Sequence, residues 1–159
     1  MRVLLLLLAA SGCTSMTARS GIVVIGGRPA FQASIEIGPS AFGKRHGVTA
    51  AGDLGVEADA DGARMVTGYS VDLFQNDEEV GPVARIGARF RGALTDDRRH
   101  QNAAVLVRSA GFVGFARDPA RNTAGLGVEI AGGATLSPTT QPIFEANLVI
   151  GGKFTRASE

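Results

Sequence analysis

The chain has no tryptophan, one tyrosine and one cysteine, and only two of its sixteen basic side chains are lysine. A single cysteine, Cys13, excludes an intramolecular disulfide and a multi-cysteine zinc site. Charge of one sign is lacking too. Sixteen bases against fifteen acids leave a formal net charge of +1, so no global field draws the protein to nucleic acid or to acidic partners. The apolar run 3–10 falls far short of the roughly 20 residues that a membrane-spanning helix needs, and no segment of helical period follows it. Catalytic constellations are also missing. Gly-x-Ser-x-Gly does not occur, and Gly26-Gly27 follows an apolar run but opens no helix. His46 and His100 stand beside arginines in separate loops, with no partner at metal-ligand or triad spacing. Asp59-Ala60-Asp61-Gly62 begins like a calcium loop but lacks the later ligands, and reads as a turn. The sequence points to no enzyme, no metal and no cofactor.

What is present is glycine, 22 residues of it, and a two-residue beat. In 83–92, Arg85, Arg89 and Arg91 alternate with Ala84, Ile86, Ala88 and Phe90, a β-strand with one charged and one apolar face. The same beat sets Phe31, Ile35 and Ile37 against Gln32 and Glu36, and Leu126, Val128 and Ile130 against Gly127 and Glu129. Eight such segments are legible, at 21–26, 31–37, 48–57, 65–74, 83–92, 103–116, 126–131 and 144–154. Turns and loops separate them, among them 38–47, 95–102 and 135–142. An even number of sequential hairpins predicts an all-β fold, an eight-stranded antiparallel up-and-down β-barrel whose closure removes both edges. A two-sheet sandwich is the alternative, though no long Greek-key connection is visible.

Which face points inward is the open question. One parity carries Glu36, Asp53, Glu57, Asp72, Glu129 and Glu145 with Arg85, Arg89, Arg91, Arg108 and Lys153, and the other carries no charge between strand ends. In a soluble barrel the apolar set fills the interior; in a membrane barrel it faces lipid and the charges pack inside. The companions of the charges are small: Gly55, Gly68, Gly87, Gly127, Gly151, Ala51, Ala104, Ala131 and Ser70. Small residues between charges suit the crowded lumen of an eight-stranded barrel. Six acids against five bases also give the near balance that a closed lumen requires, because an isolated buried charge is prohibitive. On this reading the eleven residues form a charge network in the lumen, with Arg89 paired to Asp72 on the neighbouring strand.

The first residues carry a different signal. Met1-Arg2 precedes the apolar run 3–10, which ends in Ala10-Ser11-Gly12-Cys13-Thr14. One positive charge, a short apolar stretch and small residues describe a secretory signal. The stretch resembles the lipobox of bacterial lipoproteins, with Ala10 where that family usually has leucine. The resemblance implies cleavage before Cys13, acylation of Cys13 with fatty acids such as palmitate, and, with Thr14 rather than aspartate next, sorting to the outer membrane. Several acyl chains meet the requirement for stable anchoring. The expected organisation is a signal peptide at 1–12, a lipidated tether at 13–20, the barrel at 21–155 and a polar tail at 156–159.

The alternating segments together resemble the small outer-membrane barrels of the OmpA and OmpX kind. The run Asn147-Leu148-Val149-Ile150-Gly151-Gly152-Lys153-Phe154 resembles their closing strand, although five residues follow Phe154 and Tyr69 is the only tyrosine available for an aromatic girdle. That likeness implies a bilayer around the barrel, both chain ends on the periplasmic side with 38–47, and loops 95–102 and 135–142 outside. Length makes 38–47 awkward as a periplasmic turn. Three functional classes stand: a non-enzymatic structural or interaction barrel of the outer membrane, a lipid-anchored soluble barrel binding a small apolar ligand as lipocalins do (without their Gly-x-Trp signature), and a membrane-barrel enzyme for which no residue set can be named.

Overall fold

The computed structural model describes residues 13–42, 46–77, 81–94, 102–118, 122–137 and 139–155. Eight strands follow one another: β1 (Cys13–Ile25), β2 (Arg28–Phe42), β3 (His46–Asp59), β4 (Gly62–Asp77), β5 (Gly81–Leu94), β6 (Ala103–Asp118), β7 (Asn122–Ser137) and β8 (Pro142–Thr155). Each pairs antiparallel with the next, and β8 returns to β1, so the sheet is a closed barrel in sequence order. The sandwich is excluded. Closure leaves no backbone edge without a partner, which alternating strands of this length otherwise expose.

Local chemistry explains two tight turns at one end of the barrel. Gly26 and Gly27 join β1 to β2 with φ of 55° and 83°, the two positive values that a two-residue hairpin needs to follow the strand twist. Between β3 and β4 the Asp59 carboxylate accepts a hydrogen bond from the Asp61 backbone N–H at 2.9 Å, and Gly62 supplies a positive φ of 134°. β5 ends and β6 begins at this same end, as do the facing ends of β7 and β8; β1 starts and β8 finishes at the other, where β2 gives way to β3, β4 to β5 and β6 to β7.

Two stretches differ from the sequence reading. The segment 13–20 is no tether: it is the first half of β1, paired residue by residue with β2 and β8 from Cys13 onward. Its outward positions are Thr14, Met16, Ala18 and Ser20, too mixed to show an apolar beat, and the hydrogen bonds of two neighbouring strands hold it extended. Likewise 38–47 is mostly strand, because Pro39 and Ser40 continue the β1 ladder and Ser40, Ala41 and Phe42 pair with β3. Only 43–45 separates β2 from β3, so the length that made this connection awkward as a short turn is gone. Residues 1–12 and 156–159 lie outside the described residues.

The facing is settled by exposure. Arg89, Arg91, Glu129 and Glu145 are at most 1% exposed, whereas Val71, Ile86, Val107 and Leu148 are each more than half exposed. Apolar residues line the outside and ions fill the inside. The soluble arrangement with an apolar interior does not form, and with it goes the apolar cavity that a lipocalin-like binder needs.

Candidate functional site: the charged lumen

Every inward position is set by strand parity, and the charged ones converge on a single network. At the end opposite the chain termini, Asp59 accepts a hydrogen bond from Arg64 Nη1 at 2.7 Å, and Arg64 Nη2 reaches Glu57. Glu57 is also bound by Arg91, whose other nitrogen meets Glu145 at 3.0 Å. Glu145 then meets Arg89 at 2.9 Å, and Arg89 holds Asp53. Arg19 continues the chain, 3.9 Å from Asp53 and 3.7 Å from Glu129, and donates to Glu36. Arg108 donates to Glu36 at 2.7 Å and, through Nε, to Asp72 at 2.8 Å, while Arg85 closes on Glu129. Ion pairs thus run without a break from the rim at Asp59 to Asp72.

Glycine makes room for them. A Cβ on Gly87 would strike the Asp72 carboxylate and one on Gly68 the Asp53 carboxylate, so small residues stand beside charges because the ions occupy their space. Below the network the Arg85 guanidinium lies over two rings, 5.8 Å from Phe74 and 5.6 Å from Phe112. At these distances both rings stabilise the cation by cation–π attraction. Toward the other end the amide of Gln32 donates to Asn147 at 2.9 Å, and Val23, Ala104, Leu106 and Ile143 form an apolar patch against the wall. A cup of about 410 Å³ opens at the rim, with Arg28, Asp61, Arg64, Asn102 and Gln141 among its lining.

Of the eleven sequence-selected lumen residues, ten have buried side chains that meet in these pairs: Glu36, Asp53, Glu57, Asp72, Arg85, Arg89, Arg91, Arg108, Glu129 and Glu145. Lys153 pairs through its backbone with Ser15 and Thr123, and its side chain lies outside the described residues, as does that of Cys13. The partner expected for Arg89 is different. The β4–β5 register sets Ser70 opposite Arg89 and Gly87 opposite Asp72, so Asp72 goes to Arg108 while Arg89 reaches Asp53 and Glu145. Two bases escaped the sequence reading. Arg19 was assigned to the tether, and Arg64 stands just before the first residue taken as strand, on the same parity as Val66 and Asp72. With both included, the described lumen side chains count six acids and six arginines (Arg19, Arg64, Arg85, Arg89, Arg91, Arg108), with Asp59 beside them at the rim.

Chemically the network binds charge to charge. Among the described residues no three His, Cys, Asp or Glu side chains are placed to hold a metal ion. His46 is the exposed first residue of β3, and His100 lies outside the described residues.

No protein family matches the chain, and no curated protein matches it in sequence. Among solved structures, the crystal structure of Neisserial surface protein A (NspA) matches with a TM-score of 0.53 at 10% sequence identity, over 91% of this chain and 96% of that one. At that identity the likeness concerns the fold: both chains form this kind of closed barrel.

Proposed function

We propose that this chain is an integral β-barrel of the bacterial outer membrane with a structural or interaction role, non-enzymatic, and further fastened by acylation of Cys13. The observation that carries the reading is the inverted facing, with large apolar residues outward and paired ions inward. Water around such a wall would meet a contiguous apolar surface far larger than soluble proteins expose. On β4 the outward positions run from Met65 to Leu73. At ordinary strand rise and barrel tilt they cover roughly 20 Å of height, close to the ~25 Å apolar band of outer-membrane barrels. Resemblance in fold to a protein named a surface protein supports the same address.

The end bearing the chain termini would face the periplasm, where the three-residue connections 43–45, 78–80 and 119–121 are short, as such turns are. A lipid on Cys13, which shares the inward parity of Ser15 and Thr17, would then turn over the rim at the foot of β1 to reach the inner leaflet. Filled by ion pairs, the lumen offers no aqueous path, so the role is not that of a porin.

Refolding from urea tests the reading. With phospholipid vesicles or detergent the chain should reach a protease-resistant, heat-modifiable form, and in planar bilayers it should show no steady conductance. A monodisperse folded protein in plain buffer would overturn the bilayer assignment, and a stable open channel would overturn the sealed lumen.

A further inference from the structure

Tyr69 is the one tyrosine of the chain, and it stands at the centre of β4, paired with Gly52 of β3 and Phe90 of β5. It points outward and is 71% exposed. Aromatic girdles belong at the two rims of a membrane barrel, where a phenol reaches water. At mid-height it reaches none. Its hydroxyl makes no hydrogen bond with a described residue. Thr67 nearby differs, because its hydroxyl already donates to the Asp53 carbonyl at 3.0 Å. A phenol, held far from its own backbone, has no such local acceptor.

Beside this ring the wall is hollow. Gly52 has no side chain, and a Cβ there would come to 3.9 Å from Tyr69 Cε1. A groove of about 410 Å³ opens over it, lined by Ile35, Ile37, Leu54 and Thr67 together with the ring itself. A protruding aromatic and a recess large enough to receive one therefore stand side by side on one face.

Resting on the bilayer reading, we infer that this β2–β4 face joins two copies of the chain within the membrane. In a closed dimer, two copies inserted in the same sense are related by a twofold axis along the bilayer normal, so surfaces that meet must lie at similar heights. Tyr69 and Gly52 are direct cross-strand partners, so at ordinary strand tilt they differ in height by about 3 Å, less than the length of the ring, and ring and recess can still meet. The isologous contact puts each ring against the other copy's recess. The phenol is both donor and acceptor, so the two hydroxyls are electrostatically complementary to each other, which acyl chains are not. The small residue at the contact lets the walls approach closely, as packing in lipid requires.

Energy transfer between donor- and acceptor-labelled copies in vesicles, followed as lipid dilutes protein, tests this. The label sits on Thr139→Cys at the rim, with Cys13→Ser to keep it unique, and insertion of every variant is read from unheated gel mobility. The parent should form a twofold complex that survives dilution beyond random encounter. Tyr69→Phe, which removes only the hydroxyl, should weaken it roughly threefold to twentyfold, and Gly52→Leu, which fills the recess, should abolish it. A parent that fails to insert sinks the bilayer reading. An inserted parent that is monomeric at every dilution overturns the dimer alone, as does a dimer untouched by both substitutions.

Discussion

Removing Arg89 should damage this barrel out of proportion to the size of the side chain. Arg89 binds Asp53 through Nη2 and Glu145 through Nη1 at 2.9 Å. The two acids fare differently once it is gone. Glu145 keeps Arg91 at 3.0 Å, whereas Asp53 keeps only Arg19 at 3.9 Å, and its Oδ1 has no hydrogen-bond partner to begin with. Arg89→Ala therefore strands a carboxylate whose side chain is 3% exposed. An uncompensated buried charge of this kind costs about 3–5 kcal/mol, and most of it falls on Asp53. The double variant Arg89→Met with Asp53→Asn removes both charges at nearly constant volume and should recover most of the loss, because the pair itself contributes little net once desolvation is counted. With no tryptophan in the chain, unfolding in detergent is followed by far-UV circular dichroism across a urea series, checked by unheated gel mobility. A single variant within about 1 kcal/mol of the parent would mean that Arg89 behaves as an exposed ion. A double variant no better than the single one would mean that the loss is packing. Either result refutes the lumen argument.

Other perturbations probe the wall, the packing and the anchor. Ile86, 56% exposed, should tolerate arginine at little cost if water surrounds it but lose about 2–4 kcal/mol if hydrocarbon does, read by the same urea series in vesicles. Gly87→Ala drives a methyl group into the Asp72 carboxylate and the Val71 carbonyl and should cost about 1–3 kcal/mol, while Gly111→Ala, with nothing in reach of its new Cβ, should leave the unfolding midpoint unmoved. Cys13→Ser should abolish incorporation of radiolabelled palmitate, and unchanged labelling would end the lipoprotein assignment. An epitope inserted at Asp97, in the connection between β5 and β6, should be detected on intact cells; detection only after permeabilisation would reverse the proposed sidedness.

The strands were legible because the side chains of most of them alternate sharply. Val83 to Gly92 shows this best, with bulky apolar groups on one parity and arginines on the other, and the structure extends it only to Gly81–Leu94. β1 was half legible for the opposite reason. Ser15 and Thr17 face inward and Thr14 and Ser20 outward, so neither parity differs enough in polarity to produce a beat, and neighbours rather than pattern hold the segment extended. Arg19 was lost with it. Partner choice was not legible at all. Arg89 on β5 meets Asp53 on β3 and Glu145 on β8, across the lumen, and such contacts depend on closure and tilt, which a period of two does not encode.

Facing is a subtler case, since alternation reads the same whichever side is inside. What tilted the reading inward, without closing the question, was the pairing of two facts on one parity, a near balance of charge and companions with almost no volume. Each has its cause in the lumen. Opposite charges must be matched because water cannot screen them there, and glycine stands beside Asp53 and Asp72 because their carboxylates occupy the space that a Cβ would take. The same charges also specify the register. A one-residue slip of any strand turns its inner face outward, and slipping β5 alone would carry Arg85, Arg89 and Arg91 from the network into the apolar wall. In hydrocarbon each of those arginines costs about 2–4 kcal/mol, and Glu145, Asp53, Glu57 and Glu129 would lose partners as well. An apolar interior would penalise such a slip only through packing. The ion pairs add little to the depth of the native minimum, yet they exclude its nearest competitors.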